Sequence, residues 1–521
     1  MKKQNCCSFH QQNERTMKAE QFCHAIVRNF LSCSKAIANL VMSTAAGGAS
    51  SVTALSGHPV YRYKYSSVSK AIAAINQQHR YEKGKEPQPV APENIVSAII
   101  EEPMEEAVGN LDQLTLNTDC TSLFREHSPT LPDRSHVHKS NVVVKGNKPV
   151  GIGYLMSTVG LNLRKRVIGT STPGWNPPLD MQLVPVGKNK NAYTAEQVAG
   201  VLKREQAVFK EKLIVNNLDC DYCSPEYIAG VSGQRNLVNI IRIADNRNIW
   251  KEVSAEEQAA NKAGHKNNQG TTLLYGKAYN LRDYGHWDIK ADETALFCRV
   301  LENGRRCEVS IEAWHGMKLR TKRKISMKHL GSSLLRITLK DAKTGEPVFD
   351  RAMWLTVWGE RKSELSLEQM YESYVCRSDE EKYFRFGKRQ LLMNKSQTPI
   401  RERLANWLQI VLMAYWLLFV TRIEVGTACS EWQKYLPQMK QRRQRPELEA
   451  TPSQTQYQAG DIFLRFDPAP FLPAKVEKIP PGRQKGMTQV KRERFEVVYA
   501  TSKKRKNPAP KSKGKPMEAS G

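Results

Sequence analysis

Four side chains suited to phosphate chemistry share the stretch YVCRSDEEKYFRFGKRQLL, residues 374–392. They are Tyr374, Arg377, Glu381 and Lys388, at offsets of three, seven and fourteen. At about 100° per residue, a helix gathers those offsets within an arc of roughly 60°. One face then presents a hydroxyl, a guanidinium, a carboxylate and an ammonium. Asp379 and Glu380 come early and Lys388 and Arg389 late, as a helix dipole favours. A solvated, salt-bridged face would show the same spacing, so the rest of the chain has to decide between the two readings.

Metal-dependent chemistry on nucleic acid needs carboxylates that converge from separate segments. Two divalent ions about 3.5–4 Å apart can activate an attacking oxygen and stabilise a leaving one. Mg²⁺ takes oxygen ligands and uses few protein carboxylates. Asp119, Asp219 and Glu381 form such a set if the elements beneath them bring them together.

Those elements are legible in outline. DQLTLNTDCTSL alternates apolar and polar residues and predicts a strand that carries Asp119. SNVVVKGNKPVGIGYLMSTVG predicts two more strands, turning at Gly146 and Asn147. AYTAEQVAGVLKREQAVFKEK predicts a helix that starts with a capping box at Thr194 and Gln197. LIVNNLDCDY then predicts an apolar strand with Asp219 at its end, and NLVNIIRI a further strand that ends near Arg242. The order β-β-β-α-β-α-β from 113 to 250 implies a mixed sheet with helical crossovers, and ligands in such sheets gather at strand carboxyl ends. From 270 to 360 the texture is β-rich: ALFCRVLENGRRCEVSIEAW predicts a hairpin turning at Asn303 and Gly304, and LLRITLKDAKTGEPVFDRAMWLTVWG another.

With these elements in place, Y-x-x-R-x-x-x-E-x-x-x-x-x-x-K at Tyr374, Arg377, Glu381 and Lys388 resembles the signature of bacterial insertion-sequence DDE transposases. It is similar to the subgroup whose RNase H-like catalytic domain is interrupted by a β-strand insertion before the glutamate. LDCDYCSPEYI resembles the second-aspartate motif, with Asp219 followed by Tyr222 and Asp221 as the alternative. NTDCTS resembles the first-aspartate strand, with Asp119. PPGRQKGMTQVKRERFEVV resembles the basic C-terminal segment of these enzymes. The resemblance covers roughly 45–500.

The resemblance implies cut-and-paste DNA transposition of an insertion sequence, by phosphodiester hydrolysis at the element end and attack of the freed 3′-hydroxyl on target DNA. It implies that Asp119, Asp219 and Glu381 hold two Mg²⁺, with Mn²⁺ as a substitute. Tyr374, Arg377 and Lys388 would grip phosphates near the scissile bond. Its partners would be double-stranded DNA, as terminal inverted repeats and target, and a second copy of the chain in a synaptic dimer. In similar transposases a tryptophan of the insertion stacks on a flipped base. Trp287, Trp314, Trp354 and Trp358 are the candidates here, although strand tryptophans are more often core. Arg242 is a further candidate DNA contact, or a plain strand-end charge. A catalytically inactive RNase H-like DNA-binding protein derived from a transposase is the alternative function.

Bulk properties agree with a nucleic-acid partner. Lys plus Arg number 79 against 52 Asp plus Glu, a formal charge of +27 over 521 residues, which favours a polyanion. Eleven cysteines without a regular framework fit a reducing interior, here the bacterial cytoplasm and nucleoid. Cys220 and Cys223 lack the second ligand pair a zinc site needs, and His315 reads as structural. LANWLQIVLMAYWLLFV, 404–420, contains Asn406 and Gln409 and reads as a buried core helix rather than a membrane span.

The fold class expected is α/β: an RNase H-like mixed sheet with helices, a β-rich insertion, a helical N-terminal region and a basic irregular tail. The boundaries read as 1–105 helical and DNA-binding, without a clear helix-turn-helix signature; 106–255 first part of the core; 256–365 insertion; 366–425 second part with the glutamate helix; and 426–521 basic segment with a disordered tail, including the cationic run at 503–506.

Overall fold

The computed structural model describes residues 18–80, 86, 88–139, 149–164, 174–264, 272–301, 304–320, 325, 327, 329–426, 450–467, 469–471, 486 and 491–498. The expected strand at 141–145, the turn at Gly146 and Asn147, Asn303 and the run 503–506 lie outside these residues.

Helices come first. α1 covers 18–29, followed by α2 (Ser34–Ala46), α3 (Tyr65–Ala74) and α4 (Pro92–Val108), with a small ladder of β1 (His79–Arg80) and β2 (Gln88–Pro89) before α4. The central elements follow: β3 (Gln113–Phe124), β4 (Ser135–His138), β5 (Val150–Asn162), β6 (Pro178–Leu183), α5 (Lys190–Arg204), α6 (Gln206–Phe209), β7 (Leu213–Leu218), α7 (Pro225–Val231) and β8 (Leu237–Arg242). Next come β9 (Asn248–Lys251), α8 (Ala255–Ala263), β10 (Ala278–Asn280), β11 (Glu293–Val300), β12 (Arg306–Lys318), β13 (Ser332–Asp341) and β14 (Met353–Trp358). The chain closes with α9 (Leu367–Val375), α10 (Ser378–Arg389), α11 (Arg401–Thr421) and α12 (Pro452–Phe463).

The protein is mixed α/β. Among the described residues one sheet of 12 strands runs β10-β9-β12-β13-β14-β8-β7-β3-β5-β4, with β11 on β12 and β6 on β5. β3 is parallel to β7 and β7 to β8, whereas β5 is antiparallel to β3 and β6 to β5. β14 adds antiparallel to β8, so the β-rich block extends the central sheet rather than forming a separate one.

Period-two alternation sorts the strand residues between two cores. On β7, Ile214 and Leu218 join the core that holds α5 and α7, while Leu213 and Val215 join a second core with Met370 and Tyr371 of α9. The α9 face turns polar toward the strand ends: after Val215 come Asn217 and then Asp219, and after Thr115 on β3 come Asn117, Asp119 and Thr121. This polar end of the sheet is the floor of the site.

α11 is buried almost throughout, as expected of a core helix. The amide N–H groups of its polar side chains find neighbouring backbone: Asn406 Nδ2 donates to Ile72 O at 2.8 Å and Gln409 Nε2 to Met181 O at 3.0 Å. Trp416 Nε1 donates to Pro178 O at 2.8 Å, which ties the helix to β6. Such pairing removes the cost of burying an amide in an apolar setting.

Four readings of the sequence need correction. The cap of α5 is Asn189, whose side chain accepts from the N–H groups of Asn191 and Ala192; Thr194 and Gln197 are buried one turn inside. β6 was not foreseen; it opens on Pro178, and a missing N–H is tolerated at the first strand residue. α12 lies in a segment expected to be irregular, and starts with a capping box of Thr451 and Gln454. The stretch 374–392 is two helices rather than one, which changes the geometry of the site.

Candidate active site

The register of β3 and β7 pairs Thr118 with Leu218, so Asp119 and Asp219 follow at neighbouring positions on adjacent parallel chains. Each carboxylate folds back in the same way: Asp119 Oδ1 accepts from Cys120 N at 2.7 Å, and Asp219 Oδ1 from Cys220 N at 2.7 Å. Asp221, the alternative second aspartate, is largely exposed and pairs with Lys190 at 2.8 Å.

The third carboxylate arrives from the α9–α10 elbow. Between these helices the bonds tighten to i→i−3: Arg377 N donates to Tyr374 O, Asp379 N to Cys376 O, and Glu380 N to Arg377 O, each at 3.0 Å. Tyr374 therefore lies in the last turn of one helix while Arg377 caps the next, and the four signature residues do not share one straight face. Tyr374 is buried, with Arg377 as its nearest charged neighbour in electrostatic terms. Burial pushes this phenol up to about 12.

Arg377 is the hub. Its Nη1 donates to Asp119 Oδ2 at 3.3 Å and its Nη2 to Glu381 Oε1 at 2.6 Å, with Asp219 and Tyr374 also within its electrostatic reach. Desolvation opposes its charge, but Tyr374 and the three carboxylates together hold the guanidinium above its ordinary value. Burial pushes Asp119 up to about 6; Arg377 and the Cys120 N–H work against that rise, and Asp219 adds to it. Lys388 Nζ donates to Thr121 Oγ1, on the same β3 face as Asp119, and burial pushes the ammonium down to about 8. Sequence reasoning missed Lys190, whose ammonium lies 5.0 Å from the Tyr222 ring centroid and acts electrostatically on Asp119.

A buried amide array fixes the elbow. Asn217 Nδ2 donates to Asn117 Oδ1 at 3.1 Å and to Ser373 O at 2.9 Å; Asn117 Nδ2 donates to Cys376 O at 3.0 Å and to Asn176 Oδ1 at 2.9 Å. Asn176 in turn donates to Glu380, which is fully buried and well above its ordinary range through desolvation. Asp379 accepts from Arg164 Nε at 2.9 Å and Asn162 Nδ2 at 3.0 Å. Close packing here requires glycine: a Cβ at Gly174 would lie 1.9 Å from Asp379 Oδ2. The three consecutive acids thus have three settings: ion-paired in the interior, neutral in the interior, and facing the site.

Beside Glu381 opens a cleft of about 540 Å³, whose walls include Arg242, Arg299, Arg351, Arg377 and Tyr374. Arg299 pairs with Glu372 at 2.9 Å and Arg351 with Asp245 at 3.0 Å, while Arg242 is exposed at the end of β8. Trp314 is 1 % exposed, 5.2 Å from Trp287 and 6.0 Å from Trp354 between ring centroids. In this structure it is a core residue of the inserted strands and offers no face for stacking.

The donor set is chemically apt for a hard divalent ion: three carboxylates, partly buried, around one cation. Their spacing is not, because the guanidinium stands between them. Among the described residues no group of three His, Cys, Asp or Glu side chains is close enough to share an ion.

Asp119 yields a stability prediction. Its folded carboxyl titrates near 6, above the ordinary 3.8, so the neutral form is the one the fold favours. The stability this contributes is complete below about pH 4 and is lost as pH rises through 6. Asp119→Asn should therefore be more stable than wild type at pH 7.5, by on the order of 2–3 kcal/mol. The gain should vanish in thermal melts at pH 3.5, and equal melting temperatures at pH 7.5 would contradict it.

Comparison with known proteins finds no family model that matches this chain and no similar curated protein.

Proposed function

We propose that this chain is a DDE transposase with an RNase H-like core, which cleaves and joins DNA at the ends of an insertion sequence. One observation carries the reading: Asp119 from the middle of β3, Asp219 just past the end of β7 and Glu381 from a helix gather around a single cationic group. Three parallel strands flanked by two antiparallel ones support the RNase H-like core, and the strands inserted between β8 and the glutamate helix support the subgroup.

On this reading Asp119, Asp219 and Glu381 would hold Mg²⁺ or Mn²⁺. When bound, such ions supply charge stabilisation at the attacking and leaving oxygens of phosphodiester exchange. The chain's own residues bind and orient the DNA. Lys388, Arg377 and Arg242 offer cationic contacts for phosphate oxygens, and Tyr374 a hydroxyl donor. The excess of basic residues draws the duplex in, and activity is placed in the bacterial cytoplasm, at the nucleoid, with two copies synapsing two ends.

The test is nicking of a supercoiled plasmid that carries the gene with its flanking DNA, where this reading expects terminal inverted repeats. Nicks at the repeat ends with Mg²⁺ or Mn²⁺, absent with EDTA and absent for Asp119→Asn, are the expected result. Duplex binding without metal-dependent nicking would favour the second reading, an inactive derivative. The guanidinium between the carboxylates is the observation that favours it. In either case binding should weaken steeply with added salt, because phosphate contacts release counterions.

A further inference from the structure

The carboxylate site already holds a cation, and it belongs to the protein. We propose that Arg377 is the resident counter-cation of the Asp119–Asp219–Glu381 pocket and must leave it before a divalent ion enters, so that metal binding and phosphate binding become linked. The inference rests on the transposase reading and adds to it an exchange at the same site.

Three observations carry it. The guanidinium bridges Asp119 and Glu381 with separate nitrogens, at 3.3 and 2.6 Å, and Asp219 is the third acid in its field. Its side chain is only 14 % exposed and that of Asp119 20 %, so solvent screens this pair weakly, whereas Glu381 is more than half exposed. The same side chain also lines the neighbouring cleft, where the exposed Arg242 offers a cationic contact for an anion beside Arg299 and Arg351, which are paired with Glu372 and Asp245. A rotation about the side-chain torsions, with the backbone held at the cap of α10, would move the guanidinium from one setting to the other.

Each partner then trades one counter-charge for another. The carboxylates exchange a guanidinium for a divalent ion, and Arg377 exchanges carboxylates for a phosphate, to which its planar fork is well matched. Because the two equilibria share one side chain, phosphate in the cleft should favour metal in the pocket, and the reverse must hold to the same degree. Without DNA, the free chain keeps its acids neutralised and binds metal weakly.

The experiment is a Mn²⁺ titration of the full-length chain without DNA, with free Mn²⁺ followed by its paramagnetic resonance signal. Wild type, Asp119→Asn, Arg377→Gln, Arg377→Lys and the double variant Arg377→Gln with Asp119→Asn are compared, each checked by thermal melting. Arg377→Gln should bind Mn²⁺ at least about tenfold more tightly than wild type, since a unit positive charge has left the pocket. The double variant should lose that gain. Arg377→Lys, which keeps the charge but lacks the fork, should fall between, and serves if the glutamine variant does not fold. Unchanged or weaker Mn²⁺ binding by Arg377→Gln, with binding in wild type abolished by Asp119→Asn, would overturn the exchange and leave the metal site standing. No Asp119-dependent Mn²⁺ binding in any variant would overturn the exchange and the transposase reading together.

Discussion

On the transposase reading proposed above, Glu381→Gln should abolish strand cleavage, with a loss of at least about a thousandfold, while Glu380→Gln next to it should keep most of the activity. The two substitutions are chemically identical, one residue apart, and separate the two settings. Glu381 is more than half exposed, points at the site and gives its charge to Arg377. An amide there still accepts a hydrogen bond but has no charge to offer a cation. Glu380 is fully buried and accepts from Asn176, and desolvation raises its carboxyl well above the ordinary range, which favours the uncharged form that an amide mimics. Nicking assays on the two variants, with duplex binding measured alongside, decide the matter. Full cleavage by Glu381→Gln would remove it from the chemistry. Equal loss in both variants would mean that the elbow as a whole had been disturbed.

Asp379→Ala should destabilise the protein by about 3–5 kcal/mol, the largest effect on stability expected from a single change near the site. The Asp379 side chain has no solvent exposure and its partner Arg164 has 9 %. Removing the acid leaves a buried guanidinium without its main counter-charge and strips Asn162 of an acceptor. Lys382 also approaches Asp379, at 3.3 Å, but is partly exposed and adds little. Urea denaturation measures the loss. A change below about 1 kcal/mol would show that Arg164 finds other compensation.

Much of this arrangement was legible because local signals agreed with the fold. β3, β7 and β8 follow from alternation and apolar runs, and the inserted hairpins from their residue pattern. The acids of the site could be read from type and spacing, since Arg377 and Glu381 meet across one helical turn whatever happens upstream. The break at Cys376 and Arg377 could not, because nothing in the local sequence forbids a continuous helix there. It is set by the amide array, whose members are drawn together from 59 to 259 residues apart. One signal for that array was present and overlooked. Asn117-Thr118-Asp119-Cys120 and Asn217-Leu218-Asp219-Cys220 both spell N-x-D-C. On parallel neighbours in register, that repetition places two amides side by side beneath two carboxylates. Asn176, Arg164 and Lys190 carried no such mark, since their roles depend on chain crossings that pattern alone does not fix.

The hydrogen-bonded seam between β8 and β14 bears on any attempt at minimisation. Leu355, Thr356, Val357 and Trp358 lie opposite Arg242, Ile241, Ile240 and Asn239. Cutting out the inserted strands would strip β8 of its neighbour and turn it into a naked border of unmatched amides and carbonyls. Val238, Ile240 and Val215, now enclosed, would lie near that border. Such a border invites stacking with other chains. A trimmed protein would precipitate before any activity could be assayed, unless a replacement strand or a charged cover were grafted in its place.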